Sequence, residues 1–266
     1  MAATYRREHD LREDVVSWLK DYCECDVVVD EVEGVQGIPD LVGTQASPQA
    51  LAERLAQPLV PVCRPWELYV LWMLGPSLLE SELAALLPGP PWRRWRRREI
   101  QELIRLGWLT HDSADIEGDH PQRRWRATAS FEDPVGRLIA VHLKVRQGRP
   151  GLIQALQCTG YVDDTYLAMP SECITATCRT EAARAQIGLL AVRPGAVEVL
   201  LEPSRQGAWS AHTRRLIAER ILLSLRHPEL APREAGTPGG PGVRAWTLCR
   251  QQYLQSLADT SGGCLT

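Results

Sequence analysis

Residues 137–170 read RLIAVHLKVRQGRPGLIQALQCTGYVDDTYLAMP, and their order decides the fold. Residues 137–145 form a nearly continuous apolar run, the pattern of a strand buried on both faces. Residues 150–161, PGLIQALQCTGY, then read as a helix, and 164–170, DTYLAMP, as a second strand. Strand, helix and strand in succession predict a parallel pair joined by a right-handed crossover in a mixed sheet. Downstream, 186–203 read as a hairpin turning at Pro194-Gly195, and AHTRRLIAERILLSLRH at 211–227 as a long helix. Upstream, Leu11, Val15, Trp18 and Leu19 fall near helical spacing within 10–22, with acids early and Lys20 late, as the helix dipole prefers. DVVVDEVEG (26–34) and VQGIPDLVGT (35–44) are β-branched runs separated by glycines and predict a hairpin. Pro48, Pro58, Pro61 and Pro65 mark a connection carrying one short helix.

Between 65 and 130 the pattern changes. WELYVLWMLG (66–75), LLESELAALLPG (78–89) and WRRWRRREIQELIRLGW (92–108) read as three helices, each ending at glycine or proline-glycine. LTHD and RRWRATAS then read as strands around the polar loop DSADIEGDHPQ. Three helices and a two-stranded ribbon are the plan of a winged helix-turn-helix. The expected division is an α/β domain over 1–58 and 131–230, a winged helix-turn-helix insertion over 59–130, and a Pro/Gly linker with a last helix, AWTLCRQQYLQSL, over 231–266.

The composition, 44% hydrophobic and 24% charged, is that of a soluble globular protein, and no apolar run approaches the ~20 residues of a membrane span. The charged start MAATYRREHDLRED gives no secretion signal, so a cytoplasmic location and no membrane partner are expected. A net charge of -3 offers no global attraction for nucleic acid, so any such case must be local. The eight cysteines are scattered without the C-x2-C pairs that zinc favours, and are expected to be reduced thiols packed as small hydrophobes.

The local case is the basic helix. At 100° per residue, Trp92, Trp95, Ile100, Leu103 and Leu106 share one side, while Arg94, Arg97, Arg98 and Gln101 gather opposite, with Arg93 at the edge. Such a stripe suits a recognition helix against a DNA groove or phosphates. Arg123, Arg124 and Arg126 around Trp125 stand where a wing would meet the same duplex. The competing reading is a solvated arginine face on a protein-interaction module.

A second constellation joins Gly37-Ile38-Pro39-Asp40-Leu41-Val42, Ile139–Val145 with His142 and Lys144, and Gln154. Of 30 basic residues only Lys20 and Lys144 are lysines, and an ammonium along an apolar strand needs partners. Here the sequence resembles the PD-(D/E)XK nuclease superfamily, especially its bacterial members, over roughly 8–46 and 132–203. In that family a strand ending in Pro-Asp precedes an apolar strand bearing Glu-x-Lys, and a following helix presents a glutamine. The resemblance implies a restriction-endonuclease-like mixed sheet flanked by helices, with the α+β winged helix inserted between the two site strands. It implies a metal-dependent endodeoxyribonuclease using Mg2+ or Mn2+, with Asp40, His142, Lys144 and Gln154 catalytic and Asp40, Glu31 and His142 around the metal. Glu8 or Glu13 would be a third carboxylate. DNA is the expected partner, and a homodimer is in keeping with the family. Three departures stand out: His142 in place of the usual acid, and Gly148 and Gly151 after the lysine. Either another acid such as Glu31 compensates, or the histidine serves as ligand or base, or a degenerate nuclease fold acts as a DNA-binding regulator or scaffold in a DNA-processing or defence complex.

Overall fold

The computed structural model describes residues 5–32, 37–57, 59–62, 67–68, 70–71, 77–79, 100–114, 122–128, 135–146, 148–204 and 211–226. Its centre is a mixed six-stranded sheet in the order β1-β2-β6-β7-β8-β9. The strands are β1 (Val27–Asp30), β2 (Leu41–Ala46), β6 (Val135–Leu143), β7 (Asp164–Pro170), β8 (Gly188–Arg193) and β9 (Ala196–Leu201). β6, β7 and β8 run parallel, while β1, β2 and β9 pair antiparallel at the two sides. Every residue of β7 is buried, as expected of a central parallel strand covered on both faces.

A short 3-10 helix (Glu8–Leu11) leads into α1 (Arg12–Asp21). Leu11, Val15, Trp18 and Leu19 pack on Leu41, Ile139, Val141, Leu143 and Tyr166, so α1 covers one face of the sheet. The other face carries α3 (Gly148–Cys158), α4 (Ala176–Ala185) and α5 (Ala211–Arg226). The β8–β9 hairpin turns at Pro194-Gly195, where the positive φ of Gly195 suits a residue without Cβ. The Gly195 N–H donates to Asp14 Oδ1 at 2.8 Å, tying the hairpin to α1.

After α2 (Pro48–Ala56), whose Ser47 hydroxyl caps the Ala50 N–H, a second unit begins. It holds a three-stranded sheet ordered β3-β5-β4, made of β3 (Ser77–Leu79), β4 (Leu109–Ala114) and β5 (Gln122–Ala127). β4 pairs β5 as the ribbon reading requires. Leu78 and Leu79, expected to open the second helix, belong instead to β3 and pair with Trp125 and Arg124. A three-residue strand is too short to display a period of two, and two leucines fit either pattern.

Ile100, Leu103 and Leu106 are buried with Leu59, Val60, Val62, Trp108 and Trp125, as the apolar side of the basic segment predicts. Leu216 of α5 joins that cluster, while Ile217, Ala218 and Ile221 of the same helix pack against the large sheet. Residues 215–224 are buried on all sides, so α5 is shared between the two units. At its centre Glu219, fully buried, accepts from Arg54 (2.9 Å), from Arg215 (3.0 Å) and from the Val62 N–H (3.0 Å). Arg226 closes the same seam by donating to the carbonyls of Leu55, Gln57 and Leu59 at 2.7 Å each. No described helix is long and apolar enough to cross a membrane. The linker and helix expected over 231–266 lie outside the described residues.

Candidate functional site

The register of β2 against β6 sets Leu41 across from Val141, which makes Asp40 and His142 neighbours at the ladder's end. Both then point to the face opposite α1, since Leu41 and Val141 point toward it. Asp40 Oδ2 accepts the Leu143 N–H at 2.8 Å and stands 3.6 Å from His142 Nδ1. Glu31, just past β1, donates its backbone N–H to the Asp40 carbonyl at 3.1 Å. It adopts a left-handed backbone at φ 48, an uncommon conformation for a residue with a side chain. Its carboxyl is held above the usual glutamate value, first by burial and then by the charges of Asp40 and Asp30. Glu31 and Asp40 therefore share one electrostatic neighbourhood, as a paired-carboxylate reading requires.

An acid whose pKa rises on folding holds its proton more tightly in the native state. Stability then falls as pH climbs from the unfolded value through the folded one. Glu31→Gln removes that penalty. It is expected to raise the thermal midpoint at neutral pH and to leave it unchanged below the ordinary glutamate range. Equal midpoints at neutral pH for both proteins would refute the repulsion.

Lys144 continues from β6, its N–H donating to the Ala168 carbonyl at 3.0 Å. Its stem lies against Gly151 of α3, where any Cβ would sit 2.8 Å from Lys144 Cγ and from Leu167 Cδ1. Glycine at 151, unusual for the resembled family, thus lets the helix approach the lysine closely. The side chain is 15% exposed, and its ammonium pairs with Glu8 Oε1 at 2.9 Å. Of the two first-helix acids, Glu8 is the one at the site, while Glu13 is exposed on α1.

His142 is buried, and its two ring nitrogens face different partners. Nδ1 faces Asp40, and Nε2 lies 3.1 Å from Cys158 Sγ on α3. Cys158 in turn meets the Tyr161 hydroxyl at 2.9 Å, and that hydroxyl reaches the Gly37 carbonyl at 3.4 Å. Gln154 is exposed on α3. One turn further on, Gln157 borders Gly37, its Oε1 3.0 Å from where a glycine Cβ would lie. Gln157, Cys158 and Tyr161 went unremarked in the sequence. The signal was present in the i, i+4, i+7 spacing of Gly151, Ala155 and Cys158, which turns Cys158 onto the sheet.

Mg2+ and Mn2+ favour oxygen ligands. Asp40 and Glu31 supply two carboxylates here, while Glu8 is drawn to Lys144. Among the described residues no three His, Cys, Asp or Glu side chains gather as a metal-holding group. Asp40 and Glu31 are the residues that would hold such a cation.

In the second unit Gln101 and Arg126 are exposed and Arg124 is half-buried. Arg93, Arg94, Arg97 and Arg98, and the side chain of Arg123, lie outside the described residues. The described cysteines are free thiols, and Cys23, Cys25, Cys158 and Cys178 are buried.

No family model matches the chain, and no curated protein does. Among solved structures it is matched to the SPO1766 protein of unknown function from Silicibacter pomeroyi. That match has 17% identity, covers 53% of this chain and 94% of that one, and has a TM-score of 0.24, too low to carry an argument.

Proposed function

We propose that this chain is a DNA-binding protein built on a restriction-endonuclease-like core, with a winged helix-turn-helix inserted between the two strands of the site. The observation that carries the reading is the juxtaposition of Asp40, just before β2, with His142 and Leu143 at the end of β6, although an arginine-rich unit separates the two strands in sequence. Five arginines in seven positions, 92–98, give a net-acidic chain one strongly cationic element, and cationic elements supply most of the affinity of proteins for phosphate backbones.

Hydrolysis of DNA is the second reading, favoured by the shared environment of Asp40 and Glu31. The imidazole of His142, where the resembled family has an acid, weighs against it, so a catalytically degenerate core is the first reading. Supercoiled plasmid incubated with Mg2+ or Mn2+, beside Asp40→Ala and Lys144→Ala proteins, separates the two. Retarded but uncut plasmid is the expected result. Cleavage that vanishes in both variants would establish the hydrolytic reading instead, and a plasmid neither bound nor cut would refute both.

A further inference from the structure

Asp40, His142, Cys158 and Tyr161 form one line of contacts running from β2 across β6 to α3. His142, Cys158 and Tyr161 are 1%, 0% and 3% exposed, so water does not compete for their polar atoms. A neutral imidazole carries one N–H and one lone pair, and its neighbours decide which nitrogen holds the proton. At Nδ1 a lone pair would face a carboxylate oxygen, whereas an N–H is attracted to it. Nε2 is then left as the acceptor. A thiol is a weak donor that suits such an acceptor, and Cys158 Sγ lies 3.1 Å from Nε2. The Tyr161 hydroxyl can point its own proton at Sγ or at the Gly37 carbonyl, and either choice leaves the S–H for His142.

We propose that Cys158 and Tyr161 are positioning residues that fix His142 as the Nδ1–H tautomer and, through it, hold the Asp40 carboxylate against the Leu143 N–H. The chain explains why a histidine stands where the resembled family has an acid: it supports Asp40 from behind rather than sharing a ligand with it. The role of Asp40 in any bound complex rests on the function proposed above, whereas the tautomer does not.

Two-bond proton–nitrogen correlation spectra of the full chain with 15N-labelled histidine test this directly, at mildly alkaline pH where imidazoles are neutral. The His142 signals are assigned by their loss in His142→Gln. The expected wild-type pattern has the proton on Nδ1. Cys158→Ser, whose hydroxyl still donates, should preserve that pattern, while Cys158→Ala should move Nε2 toward a mixture of tautomers. A proton on Nε2 in the wild-type protein overturns the proposal, and does so even if neither cysteine variant folds. A pattern unmoved by Cys158→Ala overturns it as well. DNA retardation measured on the same samples keeps the two ideas apart: no binding with the expected tautomer would sink the function and spare the chain of contacts.

Discussion

Replacing Glu219 by alanine is expected to destabilise the native protein by about 3–5 kcal/mol, the usual cost of removing one member of a buried ion pair. The carboxylate is fully buried and serves Arg54, Arg215 and the Val62 N–H together. Both guanidiniums are themselves buried, and burial pushes each below its ordinary value with Glu219 opposing the shift. Without the acid, two desolvated cations face each other across the seam that joins α2 and 59–62 to α5. The neighbouring apolar clusters cannot compensate, because Arg54 lies over the Trp108 ring, 4.9 Å from its centroid, and fills that space. Urea denaturation followed by tryptophan fluorescence gives the number directly. A loss under 1 kcal/mol would mean that the network is solvated and is not the structural tie described above.

The second large effect concerns binding. Changing Arg94, Arg97 and Arg98 together to alanine is expected to weaken DNA affinity on the order of a hundredfold at low salt, at about 1 kcal/mol or more for each charged contact removed. It should also flatten the dependence of log affinity on log salt by up to about 2.7, since each phosphate contact contributes about 0.9. Fluorescence anisotropy titrations at several salt concentrations read both quantities. If affinity and slope stay where they were, the arginine stripe is not the DNA-contacting element. A wild-type protein without measurable affinity would end the proposal altogether.

The large sheet was legible because its central strands are long or fully buried. The run at 137–145 and the strand at 164–170 carry continuous apolar sequence, and the 26–44 hairpin is set off by glycines and β-branched residues. The helix α4 escaped notice for the opposite reason. It buries only Cys178 and Ala182, small residues that leave almost no hydrophobic periodicity, and its best signal is the Thr175 cap on the Cys178 N–H. In the site, Asp40 and Lys144 were visible from residue type and spacing, because a Pro-Asp pair and a rare lysine are conspicuous in an arginine-using chain. The partners that define their surroundings were less so. Glu8, one of two acids the first helix offered, reaches Lys144 from 136 positions away, and Cys158 resembles any other small apolar residue on a helix. Distance along the chain and chemical plainness hide such contacts from a reading that works by local pattern.

The placement of α5 bears on how the protein can be dissected. Its residues 215–224 fill two cores at once, so neither unit owns the helix, and an excised 59–130 fragment would lose the wall that Leu216 provides to its interior. Such a fragment would bare greasy surface and tend to clump in solution. Conversely, a sheet expressed with the insertion looped out would leave one flank of α5 stripped. The second unit and the strand that follows Asp40 are therefore held as one mechanical piece.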